Sequence, residues 1–137
     1  MRQFLKIILT LLPIAISSQS LSASKLYEYA NFQNIQAISK ELKIKGFVTS
    51  SKIRDGYKIN DFKKASEQLW ISSNDELFMV IYKPSYTIYI LLKEKLLTDE
   101  FAYAYTYNNN KYYETKEIRL GFNDLNGIIS IFKPLKN

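Results

Sequence analysis

Residues 101–107 read Phe-Ala-Tyr-Ala-Tyr-Thr-Tyr, a large aromatic alternating with a small residue at every step. Successive side chains of a strand point to opposite faces, so this run predicts a strand with two unlike faces. Phe101, Tyr103, Tyr105 and Tyr107 share one face, and Ala102, Ala104 and Thr106 the other. One strand is not stable alone; it needs neighbours. The flanking sequence supplies them. Residues 77–83 and 86–93 are dense in β-formers and are joined at Lys83-Pro84-Ser85, which predicts a hairpin. Asn108-Asn109-Asn110 predicts a turn, because Asn tolerates the left-handed conformation. Residues 112–120 predict the next strand. A turn at 124–127 leads to a last strand over 128–133, ended by Pro134.

The first half of the chain has a different period. Phe32, Ile35, Ile38 and Leu42 form a helical stripe, so residues 31–45 predict a helix. Asn31 is the expected N-cap and Gly46 the expected residue past the C-terminus, with Lys43 and Lys45 in the last turn. Residues 47–60 are open between a small hairpin and an irregular loop, with Asp55-Gly56 as the turn signal. Residues 61–69 predict a second helix with Phe62, Ala65, Ser66 and Leu69 on one face. Helices followed by strands predict an α+β domain: two N-terminal helices packed on one face of a roughly five-stranded antiparallel sheet.

Residues 1–23 read as a secretory signal peptide. Arg2 and Lys6 form its positive start, residues 7–16 its apolar run, and residues 17–23 its small, polar end. The apolar run is shorter than the ~18 residues a membrane span needs, and Pro13 interrupts it. Cleavage is expected after Ala23, with a cut after Ser22 as the neighbouring option; Leu21 is a poor residue three places before the first of these. The short signal suits a bacterial exporter, Gram-negative rather than Gram-positive, with a periplasmic or secreted product. Residues 24–137 then form a single globular domain. That length carries a self-sufficient core, which this chain needs, since it has no cysteine for a disulfide.

Composition narrows the chemistry. With neither Cys nor His there is no thiol nucleophile, no imidazole base and no Cys/His metal site. Glycine-rich phosphate loops and Ca²⁺ loops are also missing from the sequence. No cofactor and no metal are expected, and no catalytic residue is assigned. A carboxylate-dependent hydrolase or secreted toxin would have to use Asp75-Glu76, Asp99-Glu100 or Glu114 with Glu117. Adjacent acids on a strand face opposite ways, and charges just before strands mark turns and guard edges. The expectation is therefore a protein that is not an enzyme.

Two features point to binding. Residues 40–64 hold eight basic and three acidic residues, a local +5, while the rest of residues 24–137 sums to −1, leaving +4 once residues 1–23 are removed. Such a patch attracts an acidic partner, or else serves only as a solvated face. Nucleic acid suits the charge but not the compartment. The second feature is the crowd of tyrosines over 82–113. Tyrosine offers a stiff amphipathic surface that binding patches favour. If Ala102, Ala104 and Thr106 face the helices, the Tyr103, Tyr105 and Tyr107 face is open; in the reverse case the aromatics are core. The residues expected to touch a partner are Lys52, Arg54, Lys58, Tyr103, Tyr105 and Tyr107. The function expected is an exported, non-enzymatic envelope module of the inhibitor or immunity type, directed at an acidic protein partner. The alternatives are a peripheral protein on an anionic membrane or cell-surface polymer, and the carboxylate hydrolase. The sequence leaves the oligomeric state open.

Overall fold

The computed structural model describes residues 21–136. The expected signal peptide lies outside them except for its last three residues. Among the described residues the order is α1 (Ala23–Phe32), α2 (Ile35–Ile44), β1 (Val48–Arg54), β2 (Tyr57–Lys64), β3 (Glu67–Ser73), β4 (Leu77–Lys83), α3 (Tyr86–Leu96), β5 (Ala102–Tyr107), β6 (Asn110–Glu114), β7 (Arg119–Asn123) and β8 (Ile128–Pro134). The fold is α+β with one antiparallel sheet, in the order β1-β2-β3-β4-β8-β7-β6-β5. The sheet has eight strands rather than five, and three helices accompany it.

The extra strands come from segments whose helical spacing was misleading. Phe62 and Leu69, seven apart, were expected on one helix face. They are cross-strand partners in β2 and β3, and the chain reverses at Ala65, which takes a positive φ of 51°. A tight hairpin brings residues seven apart face to face as surely as two helical turns do. Asp55 and Gly56, both at positive φ, close the β1–β2 hairpin as their identity predicts. Residues 112–120 are not one strand. Thr115 ends β6, its N–H donating to the Ile118 carbonyl (2.9 Å) while its Oγ1 accepts from the Ile118 N–H.

The opposite correction applies to residues 86–93, which are helical despite their β-formers. Ser85 caps α3, accepting from the Ile88 N–H, and Tyr89, Leu92 and Leu96 recur on one buried stripe. Burial of that stripe outweighs a β-preference, which is itself mostly a matter of packing. The helix expected over 31–45 is α2, which starts four residues later, and α1, which was not expected, precedes it. Gln33 separates them with φ 56°, and Asn34 rather than Asn31 caps α2, its Oδ1 accepting from the Ala37 N–H at 3.1 Å. Gly46 stands past the end of α2 at φ 97°, as expected.

The core lies on one face of the sheet. Phe62, Leu69, Tyr82, Ile129 and Phe122 are partners in successive strands and all are buried. Leu26, Ala30, Leu42, Leu92 and Leu96 from the helices join the same cluster. The other face carries Trp70, Met79, Ile81, Tyr112 and Phe132, half-buried and outside that cluster. Gly121 lets Tyr112 lie flat there: a Cβ at Gly121 would stand 2.9 Å from the Tyr112 ring.

Candidate binding surfaces at the two sheet edges

β1 is one edge of the sheet and carries the basic residues. Its partner register sets Lys52 opposite Ile59, Ile53 opposite Lys58, and Arg54 opposite Tyr57. Lys52 and Arg54 therefore project from one face, and Lys58 with Ile53 from the other, the helix side. Ile53, 77% exposed, forms with Ile35 the apolar wall of an open groove of about 750 Å³ on the helix side. Lys58 stands at its rim, while Lys52 and Ile59 border it from β1 and β2 with side chains directed to the opposite face of the sheet. Ile35 and Gln36, the first two residues of α2, close it from above, so the positive end of that helix opens onto the same space. The ion pair between Arg54 and Asp55 (3.8 Å) is almost fully exposed and holds little energy. The surface is cationic with apolar side chains between the charges.

β5 is the opposite edge. Tyr103, Tyr105 and Tyr107 are 58%, 42% and 65% exposed. They do not share a face. A bulge between Tyr103 and Tyr105 shifts the register, so Tyr103 pairs with Tyr113 while Tyr105 pairs with Tyr112. One extra residue moves every side chain beyond it to the other face. Tyr103 meets Tyr113 edge-on (centroids 5.7 Å) on the core side; Tyr105 leans on Tyr112 (4.8 Å) on the other. Arg119 lies over the Tyr105 ring and pairs with Glu114 at 2.8 Å. Glu100, Glu114 and Glu117 surround a shallow groove beside Tyr103, so this edge is aromatic and acidic.

Six strands lie between β1 and β5. Seven spacings of about 4.8 Å put the edges roughly 34 Å apart along the sheet. Lys52, Arg54 and Lys58 gather at one edge, on both of its faces, and Tyr103, Tyr105 and Tyr107 at the other. The structure does not join them into one site.

Two partnered carboxyl groups, Glu67 buried and Asp124 exposed, carry no mark in the sequence. Glu67 is buried under the helices and accepts a hydrogen bond from the Tyr82 hydroxyl, which itself accepts from the Leu21 N–H at 3.0 Å. Burial pushes the Glu67 carboxyl up; Tyr82, Lys64 and Lys45 pull the other way. Burial also raises Tyr82, which keeps its proton and stays a donor. Asp124 accepts from the Tyr89 hydroxyl (2.6 Å) and pairs with Lys93 (2.9 Å), tying α3 to the β7–β8 turn; these two partners hold it below the usual carboxylate range. Glu67 fell inside a segment read as helix, so nothing marked it as buried. The Asp124 turn was expected, but not the helix that supplies its partners.

Among the described residues no three of His, Cys, Asp and Glu come together as a metal site, and no helix is long and apolar enough to cross a membrane. Asp75 and Glu76 sit in a turn organised by Asn74, whose Oδ1 accepts from the Glu76 and Leu77 N–H groups. The chain matches no protein-family model, no curated protein and no solved structure.

Proposed function

We propose that the protein is an exported, non-enzymatic binding module of the bacterial envelope, of the inhibitor or immunity type, which takes an acidic segment of a partner protein along β1. The observation that carries this reading is the groove beside that strand. It combines what an interface centre needs, apolar side chains that can be desolvated, with bordering cations that steer an acidic partner. β1 also has one free edge in the sheet order, where an extended segment can add as a further strand. The tyrosine edge is a separate surface in this reading and is not needed for the basic one.

The test uses the protein recovered from a bacterial envelope and immobilised beside its K52E/K58E variant. A partner retained by the wild-type protein, lost on charge reversal, and released between about 0.05 and 0.5 M salt supports the reading. Retention indifferent to both charge reversal and salt refutes it. Vesicles of anionic lipid separate the membrane alternative: salt-sensitive co-sedimentation that also needs Lys52 and Lys58 would move the assignment to a lipid surface.

A further inference from the structure

Two residues that the export pattern assigns to the leader belong to the folded unit. Leu21 is 2% exposed and part of the core cluster. Ser22 is the N-cap of α1, its Oγ accepting from the Lys25 N–H at 3.1 Å. A cut after Ala23 or Ser22 would remove a buried leucine and a helix cap together. One bond upstream of Leu21 the sequence reads Ser18-Gln19-Ser20, with small residues one and three places before the bond, as the cleavage pattern asks.

We propose that the signal is cut between Ser20 and Leu21, and that the freed α-ammonium of Leu21 is held by the Tyr82 hydroxyl and, through it, the Glu67 carboxylate. This rests on reading the N-terminal residues as an export signal. An envelope peptidase hydrolyses the Ser20–Leu21 peptide bond. Water supplies the oxygen of the new Ser20 carboxylate and a proton to the Leu21 nitrogen, which takes another from solvent at neutral pH. The receiving groups are already aligned. The Leu21 nitrogen donates to Tyr82, and Tyr82 donates its one proton to Glu67, so its oxygen is an acceptor for the nitrogen. Before the cut that nitrogen is a neutral amide; after it, the bond is charge-assisted and faces a buried carboxylate. Lys64 and Lys45 also act on Glu67, so the ammonium joins an existing cationic surround. Processing thus strengthens the fold only once the chain has been exported.

The full chain is expressed in a bacterial host, and the envelope product is identified by intact mass and N-terminal sequencing. A product starting at Leu21 is expected. A start at Ala23 or Ser24 overturns the cleavage site and leaves the export reading standing; an uncut chain overturns both. Amine capture is then read from the reaction of the α-amine with an acylating reagent across pH. In the folded wild-type protein the amine titrates above its ordinary value of about 8, making labelling at neutral pH about tenfold slower than in the urea-unfolded chain. Glu67→Gln restores most of that rate. Equal labelling of folded and unfolded wild-type protein overturns the capture, and this comparison needs no variant.

Discussion

Replacing Tyr82 by Phe removes one oxygen from the centre of the fold and strands two groups. Tyr82 is fully buried, and its hydroxyl is the hydrogen-bond link between the Leu21 N–H and Glu67. A buried polar group left without a partner costs about 1–3 kcal/mol, the upper end applying to the carboxylate. Together the two predict a loss of about 3–5 kcal/mol at neutral pH, a large part of the 5–15 kcal/mol a domain usually has. Urea unfolding, with a slope of about 1–3 kcal/mol per molar, then shows a midpoint lower by roughly 2 M. The pH dependence is the sharper check. Burial raises the folded pKa of Glu67 above its unfolded value. Its contribution to stability is therefore fully present below the unfolded pKa and is lost as pH rises through the folded one. Without the Tyr82 donor the folded pKa climbs further, so the penalty is larger near pH 7 than near pH 4. A loss under about 1 kcal/mol, or one equal at both pH values, would refute the assignment of Tyr82 as the donor to a buried carboxylate.

Gly121→Ala should cost about 1–3 kcal/mol by chemical denaturation, because the new methyl group meets the Tyr112 ring at 2.9 Å and Tyr112 is held between Tyr105 and Phe132. Tyr29→Phe should cost less than Tyr82→Phe, under about 1.5 kcal/mol by urea unfolding, since the buried Tyr29 hydroxyl makes no well-formed hydrogen bond and interacts with Glu41 mainly through its charge. Asp124, held low by Tyr89 and Lys93, contributes stability above its unfolded pKa that is lost as pH falls through its folded one. The Asp124→Asn variant should accordingly show a flatter acid limb in a plot of melting temperature against pH.

Several turns were legible from the residues alone, because they are settled by chemistry within a few positions, whereas the cap expected at Asn31 falls to Asn34 and the turn expected at 83–85 opens a helix. Asp55-Gly56 and Asn108-Asn109 adopt the left-handed conformations that their side chains tolerate, and Gly46 follows the end of its helix. The alternation of 101–107 and the apolar run of 128–133 were strands for equally local reasons. The basic character of 40–64 was likewise plain, and the structure places Lys52, Arg54 and Lys58 on one hairpin.

What the sequence alone could not decide was which surface each periodic segment would meet. Phe62 and Leu69 suit a helix face or a hairpin equally; only the presence of β3 and β4 beside them selects the hairpin. The β-forming residues of 86–96 become a helix because a buried stripe of Tyr89, Leu92 and Leu96 is available over the sheet. The bulge after Tyr103 depends on pairing with β6, and it turns one aromatic face into two. Distance along the sheet separated the basic and tyrosine surfaces, a relation that follows from strand order and not from neighbouring residues. Glu67 and Leu21, 46 positions apart, acquire their meaning only through Tyr82, which folding brings between them. Local residue chemistry determines many turns and the charge; burial against distant partners determines element type, register and which polar groups must find each other.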